Sequence, residues 1–240
     1  MKGKLYLIPS ALSEVSASHY VPPYNMEVIR GVKHFIVENA RTARRFLKFV
    51  LPDLNISELI MIELDKHNPQ ESIAELAAPL LEGLHVGLLS EAGCPAVADP
   101  GSRIVEWAHK KGVEVIPLIG PSSILLSLMG SGFNGQRFAF KGYLPIDERE
   151  RALAMKEMER RILKEDETQI FIETPYRNVK LVEELIRQLP AQFRLCVAVN
   201  LTDDKQQKIA TKSLSEWKKE KDLATWLHKH PAIFLLYKSL

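Results

Sequence analysis

Ser90-Glu91-Ala92-Gly93-Cys94-Pro95-Ala96-Val97-Ala98-Asp99-Pro100-Gly101 is the stretch on which the fold turns. Before it, His85–Leu89 reads as a buried strand. After it, Ile104, Val105 and Ala108 share one helical face, closed by Gly112. Strand, small-residue loop and helix make the repeating unit of an α/β sheet, and such sheets bind ligands beyond the carboxyl ends of their strands. The small residues let a ligand approach the backbone, and Pro95 and Pro100 restrict the loop's shape. Asp99-Pro100 reads as a helix N-cap with a first-turn proline. Glu91 has no such structural reason to be there and is the stronger candidate for a polar ligand contact. Cys94, with no histidine near it in sequence, reads as a small packed loop residue, although a helix start also stabilises thiolates.

Working outward, strands and helices alternate. Upstream, Lys4–Ile8, His34–Val37 and Leu59–Leu64 read as strands, and Thr42–Leu51 as a helix with Phe46, Leu47 and Val50 inside. Pro69 stands where a first helical residue belongs, before Ile73, Leu76, Ala77 and Leu80, and Gly83 ends that helix. Downstream, Val113–Pro117 is a strand and Ser122–Met129 an apolar helix. Then come a strand at Arg137–Gly142, a charged amphipathic helix at Glu148–Leu163, a strand at Gln169–Glu173 and a helix at Pro175–Leu189. Leu195–Val199 and Gln207–Thr211 are adjacent strands, followed by one helix, Ser213–His228, and a last strand, Ile233–Tyr237. Adjacent strands late in the chain predict a mixed sheet there and a mostly parallel one before it. The expected fold class is α/β with two domains, 1–118 and 119–240, hinged at Ile119–Ser122.

Composition narrows the function classes. The chain has 240 residues, of which 46% are hydrophobic and 26% charged, as in globular proteins. No apolar run reaches the roughly 18 residues of a membrane span, and Met1–Lys4 leads into a strand with no signal-peptide pattern. Two cysteines, Cys94 and Cys196, are too few for a disulfide framework. A reduced, cytoplasmic protein with no membrane partner is expected. The net charge of +2 gives no global case for nucleic acid. Six cations, Arg30, Lys33, Arg41, Arg44, Arg45 and Lys48, nevertheless fall within nineteen residues, offset only by Glu38. They form either a solvated helix face or an anion-binding surface.

The chain lacks a phosphate-binding G-x-x-x-x-G-K-[ST] loop, and Pro9-Ser10-Ala11-Leu12 replaces the glycine-rich turn of a dinucleotide fold. No histidine pair has zinc-enzyme spacing, and His228 and His230 flank a helix end. Pro117–Ser123 repeats the strand, Gly-Pro, helix order and offers helix amides and the Ser122 hydroxyl to an anion. Two such loops in one chain are more informative than either. Lys141–Pro145 and Glu173–Arg177 mark two further strand ends.

In this order the loops resemble those of the tetrapyrrole methylase-like S-adenosylmethionine-dependent methyltransferases. Within that superfamily the chain resembles the branch that methylates the cytidine 2′-hydroxyl of small-subunit ribosomal RNA. Ser90–Gly101 matches S-D-A-G-T-P-x-x-x-D-P-G, Ile119–Ser122 matches P-G-P-S, Arg137–Pro145 matches R-F-x-F-x-G-F-L-P, and Glu173–Arg177 matches E-S-P-H-R. Glu38–Arg41 resembles E-D-T-R, and His67-Asn68 the branch's H-N. The likeness runs through nearly the whole chain. It implies two α/β domains closing on S-adenosyl-L-methionine, the first on the substrate side, the second with cofactor and dimer contacts, and usually a homodimer. It also implies Pro9, Ser10, Glu91, Ala92, Gly93, Pro95, Gly120, Pro121, Ser122 and Tyr143 as cofactor contacts. No metal is required.

A ribose hydroxyl is a poor nucleophile near neutral pH, so a base should help remove its proton. Glu38 and Glu91 are the catalytic candidates. Arg41, Arg44 and Arg45 are candidates for holding the phosphates of ribosomal RNA or the small ribosomal subunit. Some positions depart from the branch. P-I-G-N becomes Pro9-Ser10-Ala11-Leu12, E-D-T-R becomes Glu38-Asn39-Ala40-Arg41, and R-E-L-T-K becomes Val199-Asn200-Leu201-Thr202-Asp203. The cofactor loops are kept better than the substrate-facing positions. Two alternatives therefore stay open: a methyltransferase for a small molecule such as a tetrapyrrole precursor, and a non-catalytic paralogue that binds S-adenosylmethionine or RNA.

Overall fold

The computed structural model describes residues 1–13, 19–64 and 73–238. The chain divides into two compact units, Met1–Ser122 and Ser123–Leu240. Pro69, the expected start of a helix, and the His67-Asn68 pair lie outside the described residues.

The first unit is built on strands β1 (Lys4–Ile8), β2 (His34–Val37), β3 (Ile60–Glu63), β4 (Val86–Leu89) and β5 (Glu114–Pro117). All pair in parallel, in the order β3-β2-β4-β1-β5. Parallel neighbours need crossovers. Those described are α1 (Pro23–Gly31), α2 (Ala40–Val50), α3 (Ile73–Leu76), α4 (Ala78–Leu81) and α5 (Ser102–Lys110). Alternation along the strands separates two cores. Phe35 and Val37 of β2 join Ile29 of α1 and Phe46, Leu47 and Val50 of α2 on one face. Ile36 joins Leu76, Leu80 and Ile104 of α3, α4 and α5 on the other. Gly87 leaves room for this packing, since a Cβ there would stand 2.8 Å from both Ile8 and Phe35 side chains.

The strand order reverses between β1 and β4. The connection after β1 runs toward β2 and that after β4 runs toward β5, on opposite faces. Loops that diverge in this way leave open the position where α/β sheets take their ligands.

The second unit contains α6 (Ser123–Ser131), β6 (Phe138–Tyr143), α7 (Glu148–Glu165), β7 (Thr168–Ile172), α8 (Asn178–Gln188), β8 (Arg194–Val199), β9 (Lys208–Ser213), α9 (Leu214–Trp217), α10 (Leu223–Leu227) and β10 (Ala232–Tyr237). Its sheet order is β6-β7-β10-β8-β9, with β6 and β7 parallel and the remaining pairs antiparallel. The mixed sheet is the one predicted. Phe171, Leu195, Val197, Phe234 and Leu236 project from one face into a single core with side chains of α7, α8, α9 and α10. Helix α6 packs on β8, β9 and β10.

Three expectations need correction. The one helix expected to run to Gly83 is two, α3 and α4, divided at Ala77. Ser213–His228 is not one helix. Trp217 and Leu223 are both buried, and six residues of continuous helix would set them about 120° apart. The chain breaks at Lys218–Asp222 so that both can face the core. Pro175 does not open a helix: residues 175–177 form a turn, and α8 begins at Asn178. Helix α1 was not anticipated, although Pro23 occupies the first-turn position that proline favours.

Candidate functional site

The parallel sheet aligns the strand ends that carry the candidate residues. Val37 of β2 is level with Leu89 of β4, Leu89 with Ile8 of β1, and Leu7 with Pro117 of β5. Glu38, Ser90 and Pro9 therefore leave the sheet in one row, with Glu91 one residue further on. The loops after β1 and β4 are tied directly. Ser10 and Gly93 exchange backbone hydrogen bonds, Ser10 N to Gly93 O at 3.0 Å and Gly93 N to Ser10 O at 3.2 Å. The Ser10 hydroxyl donates to Ser90 O at 2.9 Å. Gly93 has φ +76°, a conformation that favours glycine.

The loop after β5 closes on the same place. A Cβ on Gly120 would lie 2.2 Å from the Cβ of Pro9, so only glycine permits this approach. The Cys94 thiol donates to Pro121 O at 3.4 Å, and burial pushes its pKa up. Cys94 is thus the packed loop residue expected, not a thiolate. Cys196 lies in the core, where burial raises its pKa to about 11. Sequence reasoning missed Asn25. It is buried on α1 and donates to Ile119 O at 2.8 Å, which anchors the β5 loop. A polar side chain in the first turn of an otherwise unrecognised helix gave no signal for this.

Asp99 does more than cap a helix. Its Oδ1 accepts from Gly101 N at 2.6 Å and Ala96 N at 2.9 Å, and α5 proper starts three residues later at Ser102. Its Oδ2 is buried without a partner. Burial outweighs the two amides and pushes the carboxyl above its usual range. Ala96 and Ala98 are held at φ +66° and +60°, left-handed conformations that cost an L-residue roughly 1–2 kcal/mol each. Strain and a desolvated carboxylate thus concentrate in the loop the sequence singled out. Glu91, Ala92 and Val97 on this loop, and Ile119 beside it, are exposed.

The structure brings Pro9, Ser10, Gly93, Gly120 and Pro121 together in the first unit, with Glu91, Ala92, Pro95 and Ser122 on the same loops. Tyr143 belongs to the second unit and is 61% exposed. The basic cluster is smaller than its sequence count. Arg30 is held by both oxygens of Asp53, at 2.6 and 3.0 Å, and Lys33 by Glu58 at 2.6 Å. Arg41, Arg44 and Arg45 stay exposed on α2, opposite Ala43, Phe46, Leu47 and Val50.

Two departures from the family pattern have structural roles. Asn39 caps α2, its Oδ1 accepting from Arg41 N and Thr42 N at 2.9 and 3.1 Å. Asparagine caps as well as aspartate does, so the missing carboxylate leaves the helix start intact. Asn200 and Thr202 take φ +49° and +72° in the turn between β8 and β9, where Asp203 accepts from Lys205 N and Gln206 N.

No protein-family model matches the chain. It is 30% identical over 198 residues to ribosomal RNA small subunit methyltransferase I of Vibrio cholerae, covering 82% of this chain and 65% of that protein. It is 28% identical over 201 residues to the Escherichia coli O157:H7 protein of the same name, covering 84% and 66%. The chain thus spans just under two thirds of the length of these curated relatives. A uroporphyrin-III C-methyltransferase from Thermus thermophilus, solved with S-adenyl homocysteine, superposes with a TM-score of 0.58, 16% identity, and coverage of 98% of this chain and 97% of that one. The α/β fold of this chain, with one parallel and one mixed sheet, is the fold of that tetrapyrrole methylase.

Proposed function

We propose that the chain is an S-adenosylmethionine-dependent methyltransferase acting on a ribose 2′-hydroxyl of small-subunit ribosomal RNA. The observation that carries this reading is the meeting of the β1, β4 and β5 loops beside the strand-order reversal. It occurs in a chain whose sequence likeness is to small-subunit ribosomal RNA methyltransferases. The loops fit the cofactor: they combine a buried, unpartnered carboxylate oxygen on Asp99 with exposed apolar side chains at Val97 and Ile119. When bound, S-adenosylmethionine supplies an electrophilic methyl group on a sulfonium.

The chain's own residues bind, orient and deprotonate. Pro9, Ser10, Glu91, Ala92, Gly93, Pro95, Gly120, Pro121 and Ser122 are the proposed cofactor contacts. The assignment of Tyr143 rests on the family resemblance alone. Glu38 and Glu91, at the ends of neighbouring strands β2 and β4, are the proposed bases for the ribose hydroxyl. Arg41, Arg44 and Arg45 present cations to phosphates. Much of the rate enhancement then comes from holding hydroxyl and methyl in line. A homodimer acting on ribosomes in the cytoplasm completes the proposal.

The sequence likeness favours RNA over a tetrapyrrole precursor, since identity is 30% and 28% to the RNA enzymes and 16% to the tetrapyrrole enzyme. The capping role of Asn39 removes one motive for a non-catalytic paralogue.

The deciding experiment incubates the protein with labelled S-adenosylmethionine and small ribosomal subunits from a strain lacking its gene, then maps the modified nucleotide. One ribose-methylated site is expected, with Glu38→Gln or Glu91→Gln reducing the rate. Absence of both methyl incorporation and calorimetric cofactor binding overturns the reading. A bulky probe belongs at the exposed Ala92, because Gly93 is buried in a left-handed conformation and a large side chain there would damage the fold. Ala92→Trp is expected to weaken cofactor binding while leaving thermal unfolding unchanged.

A further inference from the structure

Tyr176 lies in the turn between β7 and α8, where the resembled family carries histidine. At 71% it is the most exposed aromatic side chain among the described residues. The core does not need it. The His228 ring forms a T-shaped pair with it, centroids 6.3 Å and planes 81° apart, and Lys229 Nζ stands 5.8 Å from its ring centre. His228 and Lys229 are also exposed.

Backbone placement makes this grouping rigid. Lys229 follows α10 with φ +65°, the position at which helices usually end on glycine. A lysine there needs a reason, since glycine would adopt the conformation without steric cost. Lys229 N donates to Pro175 O at 3.1 Å. Asn178, fully buried, donates through Nδ2 to Leu227 O and His230 O at 3.4 and 2.7 Å. These bonds fix the α10–β10 turn against the Tyr176 turn. By contrast, the Arg177 guanidinium is engaged by Glu173 Oε1 at 2.7 Å and is compensated.

We propose that Tyr176, His228 and Lys229 form a stacking platform for one unpaired base of RNA, with Lys229 taking an adjoining phosphate. An exposed aromatic face beside cations is the chemistry that grips single-stranded nucleic acid, whereas a duplex hides its base faces. The proposal rests on the RNA substrate argued above and adds a second RNA-binding surface, in the second unit, to the arginines of α2.

The test measures fluorescence anisotropy of the full chain with a labelled 12-nucleotide single-stranded RNA and with an RNA duplex, alongside calorimetric binding of S-adenosylmethionine. The single strand should bind more tightly. Tyr176→Ala should weaken it about tenfold, the scale of one lost stacked base. Lys229→Gly should weaken it several-fold and lower the salt slope by about 0.7, the share of one phosphate contact on a single strand. Its unfolding temperature should hold or rise, which separates a binding role from a structural one. Cofactor binding should not change in either variant. If both variants bind the single strand as the parent does, the platform is wrong and the RNA reading stands. If the parent binds no RNA, both fall. If Tyr176→Ala unfolds, Lys229→Gly alone decides.

Discussion

The two units place their buried polar chemistry differently. In the first, two cores flank a parallel sheet, and one loop beyond a strand end gathers Asp99 Oδ2, buried without a partner, with the left-handed Ala96 and Ala98. In the second, one core holds Trp217, Phe171, Phe193 and Phe234. Its unpartnered buried atoms, Gln169 Oε1, Asn178 Oδ1 and Trp226 Nε1, and its left-handed residues are spread over separate elements. Arg151 with Glu184, the most buried ion pair among the described residues, is closely satisfied. Arg151 reaches Glu184 at 2.8 and 3.2 Å and also donates to Pro145 O and Ile146 O. A buried ion whose donors are used supports architecture. A buried carboxylate with an idle oxygen, held in a strained loop beyond the strand ends, belongs to the loops proposed to take the cofactor.

This contrast can be broken most forcefully in the second unit. Arg151→Met strands the Glu184 carboxylate and two carbonyls, with an expected loss of about 3–5 kcal/mol, read by urea unfolding. Adding Glu184→Leu should recover much of that loss. If the single variant unfolds like the parent, the pair is not the support its geometry indicates.

Gly120→Ala comes next. Its new Cβ would overlap Pro9, so the loops must separate. We expect about 1–3 kcal/mol lower stability and at least tenfold weaker S-adenosylmethionine binding by calorimetry. Loss of stability with normal binding would show that this junction is packing only.

The smallest effect is expected at Asp99. Its folded-state pKa is raised, so between the unfolded value near 3.8 and that raised value the folded state holds more protons. Stability should therefore fall as pH rises through this window. Asp99→Asn keeps an oxygen for Ala96 N and Gly101 N and carries no charge. It should flatten that fall and be at least as stable at pH 7. A variant that keeps the parent's pH dependence would put its origin elsewhere.

Much of the fold was legible because parallel strands buried on both faces read as short apolar runs. Lys4–Ile8 and His34–Val37 match β1 and β2 residue for residue, and the cofactor-loop candidates of the first unit meet at one end of its sheet. Where local patterning misled, the reason was three-dimensional. Ser213–His228 has helical composition, but Trp217 and Leu223 enter one core from two short helices, α9 and α10, on either side of a break. The basic cluster was overcounted because Asp53 and Glu58, beyond its sequence window, neutralise Arg30 and Lys33.

By itself the sequence determined the alternation of elements, the small-residue loops and the family they resemble, since these depend on periodicity and on residue types at fixed spacing. Only the tertiary structure decided which loops meet, that Asn25 anchors one of them, that Asp99 keeps an idle buried oxygen, and that Lys229 stands beside Tyr176. Those facts depend on pairs of residues tens of positions apart, whose register is set by strand order and core packing.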